Sequence, residues 1–245
     1  METAKSKGGD CGQANRATIK RAAVGLSGGI DSAIAAWLLL QRGVEVVGLT
    51  MSIWDGRHPL TTATQSACYG PGEVEDIAAA RDVARRLGIE HYVVELAEQY
   101  ERWVLDEFRA QYLDGQTPNP CAICNPTMKF GFLPQEARRR GIAFDRFATG
   151  HYVRVKCDRG SGRWRLYQGR DVTKDQSYFL ARLTQQQLGD TIFPLGEMTK
   201  QEVRNLATQA GLQNLTEKAE SQDFFEGDDI GVLFAGAEVK PGPIV

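Results

Sequence analysis

The stretch Val24-Gly25-Leu26-Ser27-Gly28-Gly29-Ile30-Asp31-Ser32 constrains this chain more than any other. The apolar run 22–24 reads as a buried strand, the glycines and serine follow without a spacer, and 33–40 carries a helix pattern that ends at Gly43. A strand feeding a tight turn and then a helix aims backbone N–H groups at one spot, where the helix dipole adds partial positive charge. An anion belongs there, a phosphate above all. Gly28 and Gly29 keep a Cβ out of the ligand's way. Ser27 and Ser32 add hydroxyl donors, and Asp31 is placed to help hold a metal on the phosphates. The bland alternative is a plain N-cap, with Asp31 or Ser32 capping an ordinary helix.

After the first helix, 44–50 is a second strand whose near-continuous apolar character suits a parallel sheet covered on both faces. Residues 52–72 have no clean period and read as a loop of the length that is usually functional or mobile. An amphipathic helix follows over 73–87, with Val74, Ile77, Ala78, Val83, Ala84 and Leu87 at helical spacing. A third strand (91–96), a helix (98–112), a further helix (128–140, with Pro134 inside it) and a fourth strand (146–149) continue the alternation. That alternation predicts an α/β fold with a doubly wound parallel sheet. Ligands bind such sheets beyond the carboxyl ends of the strands, so the glycine turn, Met51 and Gly150-His151 are expected to meet on one edge. From 163 the character changes to a short strand (163–168), a segment 174–183 and helical pieces 184–188 and 199–210, the last opened by a Thr199/Glu202 capping box. The expected organisation is a disordered lead-in (1–20), a nucleotide-binding domain (21–162), a small, mostly helical second domain (163–235) and a tail (236–245).

A net charge of −2 excludes a polycation, so any nucleic-acid contact must come from a local basic patch. No apolar run approaches the length of a membrane span, and the polar, Gly/Lys-rich lead-in lacks a signal-peptide core. The expectation is a cytoplasmic protein with no membrane contact. Five cysteines, an odd number, argue against a disulfide framework and for thiol chemistry or metal binding at some of them. Cys11, in the lead-in, and Cys157, in a charged stretch, read as passive surface thiols.

The segment Thr117-Pro118-Asn119-Pro120-Cys121-Ala122-Ile123-Cys124-Asn125 is the sharpest remaining signal. Prolines on both sides of Asn119 are expected to stiffen it in extended form and to present the two thiols in a fixed place. Cys-x-x-Cys here is compatible with a redox pair, a metal-ligand pair, a catalytic thiol, or two incidental buried cysteines. A structural zinc site wants four ligands, usually two such pairs, and this chain has one pair.

Ser27-Gly-Gly-Ile-Asp-Ser32 resembles the PP-loop of N-type ATP pyrophosphatases, whose fold is adenine nucleotide alpha-hydrolase-like. Those enzymes split ATP between the α and β phosphates and adenylylate a substrate. The Gly-Lys-Ser/Thr ending of the Walker loop is missing. Five strings resemble, in order and spacing, the tRNA-specific 2-thiouridylases: 25–32, 117–125 with Lys129-Phe130, 148–152 (Ala-Thr-Gly-His-Tyr), 174–179 (Lys-Asp-Gln-Ser-Tyr-Phe) and 193–196 (Phe-Pro-Leu-Gly). The resemblance implies ATP-dependent adenylylation of O2 of the wobble uridine of tRNA and its replacement by sulfur. By position, it implies that Gly25, Leu26, Ser27, Gly28, Gly29, Ile30, Asp31, Ser32 and Met51 hold ATP with its Mg2+, and that Gly150 closes on the nucleotide. Cys124 matches the nucleophile, with Cys121 as a second catalytic thiol. Asn119, Pro120 and Cys121 match the segment touching the target base, and Lys129, His151, Lys174, Asp175 and Gln176 match tRNA contacts. Taken alone, Lys174-Asp175 would read as a solvated charged turn. The positive field of Mg2+-ATP and Lys129 is expected to favour the thiolate of Cys124.

The chain departs from that family at three points. Phe225 stands where the partner cysteine is expected, and Cys121 stands where many members have Asp. The family continues into a C-terminal β-barrel, of which Lys240-Pro-Gly-Pro-Ile-Val245 resembles only the start. Some thiolation enzymes of the superfamily carry sulfur on a 4Fe–4S cluster with three cysteine ligands and one open iron. Cys68, Cys121 and Cys124 are the candidate ligands here, set against a Cys121/Cys124 persulfide pair. The partners implied are tRNA and a sulfur donor protein or sulfide. Two other readings stand beside this one: a sulfurtransferase acting on a small molecule or another tRNA base, and a non-catalytic ATP- or tRNA-binding module. Intact Asp31, Ser32 and Cys124 argue against the second.

Overall fold

The first strand, β1 (Arg21–Gly25), has its three middle residues wholly buried because both faces of the sheet around it are covered. The structure is a computed structural model that describes residues 19–58, 60, 67–216, 223–226 and 229–235. The lead-in before residue 19, Cys11 within it, and the tail 236–245 lie outside the described residues. β1 leads through the glycine turn into α1 (Ile30–Gln41), then β2 (Glu45–Ser52). A short strand β3 (Ala67–Tyr69), helix α2 (Glu73–Leu87) and strand β4 (Glu90–Glu95) follow. Two longer helices come next, α3 (97–113) and α4 (120–139), each with a π-helical middle, Glu101–Leu105 and Asn125–Phe132. The chain continues through β5 (Arg146–Ala148), β6 (Val153–Asp158), β7 (Arg163–Gln168), α5 (Gln185–Asp190), β8 (Thr191–Ile192), α6 (Lys200–Gln209) and β9 (Asp223–Phe225).

Five strands form one sheet in the order β4-β2-β1-β5-β8, every neighbouring pair parallel. Successive residues of a strand face opposite sides. Ala23 accordingly joins a core with Val47, Leu49, Val94 and Phe147 under α3 and α4, whereas Ala22 and Val24 join one with Ile34 and Leu39 of α1 and Val203 and Ala207 of α6. Fully burying side chains such as Ile34, Leu39 and Leu49 contributes about 1.5–3 kcal/mol each. The doubly wound parallel α/β sheet expected from the alternation is the fold observed. Among the described residues no helix is long and apolar enough to cross a membrane.

Three features differ from the sequence reading. The thiol segment is not extended through its cysteines: only Asn119 is (φ −116°, ψ 91°), and Pro120–Cys124 is the first turn of α4. Asn119 caps that turn, accepting from Ala122 N at 3.0 Å, and Pro120 occupies the first helical position, where its missing N–H costs nothing. Second, the long loop contains β3, which pairs in parallel with β9, and β6 pairs with β7 as an antiparallel hairpin. The boundary read at 162/163 falls in the turn of that hairpin, and beyond it β8 adds to the main sheet while α6 covers α1. Third, Cys157 is disulfide-bonded rather than a passive thiol.

Candidate nucleotide and thiol site

The backbone of the glycine turn is fixed by its own side chains. Leu26 N donates to Leu49 O at 2.8 Å, carrying the β1–β2 pairing one residue past the strand. Thr50 Oγ1 donates to Leu26 O at 2.7 Å, so His91 Nε2, 2.8 Å from that hydroxyl, is the donor to it. Burial pushes the His91 pKa below its ordinary value. Ser32 Oγ donates to Gly29 O at 3.0 Å and accepts from Ser27 N at 3.2 Å. The Ser32 hydroxyl, expected as a donor to ligand, therefore shapes the loop instead. The N-cap of α1 is Gly29, and no side chain caps it. Neither Asp31 nor Ser32 plays the capping role of the bland reading, and the first N–H groups of α1 are left for an anion.

The two glycines divide their work. Gly28 has φ +72°, and a Cβ on it would lie 2.7 Å from Ala79 Cβ and 2.9 Å from Asp76 O. Its missing side chain admits α2 rather than a ligand, which corrects the expectation. At Gly29 a Cβ would meet only Ser27 Oγ, at 3.5 Å, so this is the open side of the turn. Gly150 closes over α1: a Cβ there would lie 2.6 Å from Asp31 C and 2.7 Å from Ser32 N.

Asp31 is engaged, and sequence reasoning missed its partners. Lys200 Nζ, on α6, donates to Asp31 Oδ1 and Oδ2 at 2.8 and 2.7 Å, and Tyr152 Oη donates to Oδ1 at 2.8 Å. The Lys200 side chain is 8% exposed. Lys200 is anchored by its backbone N–H, which donates to Asp171 Oδ2 at 2.9 Å. Gln176 Oε1 accepts from Tyr152 N at 3.0 Å, and Asp175 Oδ1 accepts from Gly169 N at 3.1 Å. Two members of the Lys174-Asp175-Gln176 string therefore have structural work, holding Tyr152 against Asp31 and shaping the turn after β7. Glu73, also missed, is a buried carboxylate that accepts from Ser52 Oγ at 2.6 Å, Ile53 N at 2.7 Å and Trp54 N at 3.0 Å. Burial pushes its pKa up while those donors oppose the rise, and it pins the chain just past Met51 at the end of β2.

Three thiols bear on the environment of Tyr100. Cys68 on β3 and Cys121 and Cys124 on α4 act electrostatically on that buried ring and on one another. Burial pushes the Cys124 thiol up to about 12, and Lys129 opposes the rise without cancelling it. Lys129 thus acts in the expected direction, but in this state desolvation of the thiolate outweighs one ammonium group. Phe225 lies on β9 opposite Tyr69 of β3, so Cys68 is on the strand beside the position where the partner cysteine was expected. Among the described residues no group of three or more His, Cys, Asp and Glu side chains is set to hold a metal ion. His151 packs on Phe130 of α4 (ring centroids 5.7 Å apart) and shares a hydrogen bond with Thr149 Oγ1 at 2.8 Å. Burial holds its pKa well below the ordinary value, so its imidazole is neutral. Phe130 and His151 thereby join the thiol helix to the loop carrying Gly150.

An uncapped glycine turn at the carboxyl end of the central strand of a parallel sheet defines an α/β protein built to take an anion at that turn. This chain belongs to the tRNA methyl transferase HUP domain family, whose model matches residues 20–225. It is 48% identical over 223 residues to a tRNA-specific 2-thiouridylase MnmA of Endomicrobium trichonymphae, covering 91% of this chain and 61% of that one. It is likewise 48% identical over 232 residues to the protein of that name from Geotalea uraniireducens, covering 92% and 60%. The chain thus spans about three fifths of the length of these curated relatives. A 4-thiouridine synthetase solved as an RNA complex with bound ATP shares the fold, with a TM-score of 0.52 and 21% identity over 83% of this chain and 44% of that one. The resemblance read from the five strings is borne out.

Proposed function

We propose that this chain is an ATP-dependent tRNA uridine 2-sulfurtransferase that adenylylates O2 of the wobble uridine and inserts sulfur by way of Cys124. The observation that carries the reading is the combination of an uncapped helix start closed by Gly150 with a group of thiols about Cys124, in a chain 48% identical to tRNA-specific 2-thiouridylases. The phosphates of ATP take the N–H groups at the start of α1, and Met51 borders the nucleotide. Magnesium enters as the counter-ion of ATP. Asp31 becomes its ligand only if the pair with Lys200 opens, which frees the Lys200 ammonium at the head of α1. Uridine O2 attacks the α-phosphorus, pyrophosphate leaves, and O2 becomes part of a good leaving group. The terminal sulfur of a persulfide on Cys124 then attacks C2, the C2–O2 bond breaks, and AMP departs. A neighbouring thiol, Cys121, attacks the Cys124 sulfur, releases the thiouridine and leaves a disulfide for an external thiol reductant. Asn119, Pro120 and Cys121 border the base. Lys129 and Lys174 supply charge for the tRNA backbone, and neutral His151 contributes packing rather than charge. With tRNA as substrate, the reading places the protein in the cytoplasm.

A second way of carrying sulfur draws on Cys68 together with Cys121 and Cys124, the three thiols that act electrostatically on Tyr100. Three thiolates from two segments suit a 4Fe–4S cluster, whose fourth iron would hold sulfide for the same attack. The arrangement described is not yet a ligand set, so β3 would have to close on α4 as the cluster loads. Iron and sulfide analysis after anaerobic reconstitution separates the two: about four irons per chain, lost in Cys68→Ser, supports the cluster. The function itself is tested by incubating tRNA with the protein, ATP and sulfide or a persulfide donor. AMP formation together with 2-thiouridine in digested tRNA is expected, and AMP formation without thiouridine contradicts the assignment.

A further inference from the structure

Directly after Cys124 the helix widens into a π turn that contains Pro126, a residue with no N–H to give. In such a turn each N–H donates to the carbonyl five residues back, and each carbonyl keeps a second lone pair for a donor from outside. Gln187 of α5 supplies that donor at two points of the turn. Its Nε2 donates to Pro126 O at 2.7 Å and to Phe130 O at 3.2 Å. Two carbonyls on one side leave no choice as to which end of the amide faces them. Its Oε1 accepts from Thr184 N at 2.9 Å and completes the capping box of α5. The turn is also tight from within, since a Cβ on Gly131 would lie 2.9 Å from Pro126 O. Lys129 lies inside the segment that Gln187 spans, five residues from Cys124.

We propose that Gln187 is a positioning residue for the sulfur-transfer step: its amide holds the π turn that fixes Lys129 and the Cys124 sulfur relative to each other. The proposal rests on the sulfurtransferase reading for its chemistry and on geometry alone for the π turn. Gln187 carries two separable duties, and one substitution separates them. Gln187→Glu keeps an acceptor for Thr184 N, because Glu serves as well as Gln in a capping box. It replaces the two donated hydrogen bonds by a carboxylate facing two carbonyl oxygens. Gln187→Met, run alongside, removes the donors without adding charge.

Amide hydrogen exchange of the whole chain reads the geometry. In Gln187→Glu the amides of 124–132 should exchange about tenfold faster or more, as two lost hydrogen bonds imply, while those of α1 keep their protection. Activity reads the consequence: single-turnover pyrophosphate release stays within about twofold, KM for ATP and tRNA is unchanged, and single-turnover sulfur transfer falls about tenfold or more. Gly131→Ala, which crowds the same carbonyl, should reproduce the pattern. Unchanged exchange over 124–132, or equal losses in pyrophosphate release and sulfur transfer, would overturn the proposal. If the wild-type chain fails to thiolate tRNA, the functional reading falls, and the exchange result still decides the role of Gln187.

Discussion

Lys200→Met removes the cation that holds Asp31 at the head of α1. Lys200 is 8% exposed in its side chain and Asp31 29%, and Nζ bonds both carboxylate oxygens. Deleting one partner of a buried pair strands the other charge, at about 3–5 kcal/mol when burial is complete. Asp31 keeps the Tyr152 hydroxyl and some water, so a loss of about 2–3 kcal/mol is expected. For a chain of this length that lowers Tm by about 5–10 °C. Calorimetry of Lys200→Met, Asp31→Asn and the double variant measures it. Because Asp31→Asn removes the stranded charge, the double variant should recover about half of the Lys200→Met loss. Additive losses, or a Lys200→Met shift within about 1 °C of wild type, would refute the buried-pair argument. In the same variant AMP formation should fall about a hundredfold or more, as when a group opposite developing phosphate charge is removed.

Gly150→Ala puts a Cβ within 2.6 Å of the Asp31 backbone, so the loop must lift off α1; KM for ATP should rise at least fivefold by the scale of 1–3 kcal/mol for such strain. Gly28→Ala, at φ +72° and against α2, should lower stability by about 1–3 kcal/mol in denaturant titration, with no direct effect on a ligand. In reduced, nucleotide-free protein, alkylation of Cys124 by iodoacetamide should keep rising above pH 9, because its thiol is pushed up to about 12; a plateau near pH 7 contradicts that placement. His151 is held neutral when folded and protonates near the ordinary histidine value of 6.5 when unfolded, so stability is expected to fall as pH drops below that value, and His151→Asn should flatten the slope in acid titration of Tm.

The β1–turn–α1 unit was legible because an apolar run, a glycine turn and a helical period are local signals, and the parallel sheet followed from their repetition. The helix at Pro120–Cys124 carried a readable signal that proline's other habit obscured: Asn before Pro is an N-cap followed by a first helical residue as well as an extended pair. The β6–β7 hairpin also had its signal, since Val153, Val155 and Cys157 alternate with polar residues. By contrast, β3 and β9 are three-residue strands far apart in the chain, and no local pattern announces their pairing. Lys200 was illegible for a related reason. A lysine at the first turn of a capped helix reads as solvated, and only the packing of α6 on α1 delivers it to Asp31. The raised thiol of Cys124 likewise depends on burial, which sequence neighbours such as Lys129 do not reveal.

The central claim is that an ATP-activated uridine meets sulfur carried at Cys124. It is tested most directly by comparing wild type with Cys124→Ser in one assay on the same tRNA, with ATP and a sulfur donor, reading pyrophosphate, AMP and nucleoside masses together. The account predicts pyrophosphate from both proteins, and AMP and 2-thiouridine from the wild type only. Thiouridine formed equally well by Cys124→Ser, or no thiouridine from either, would contradict it.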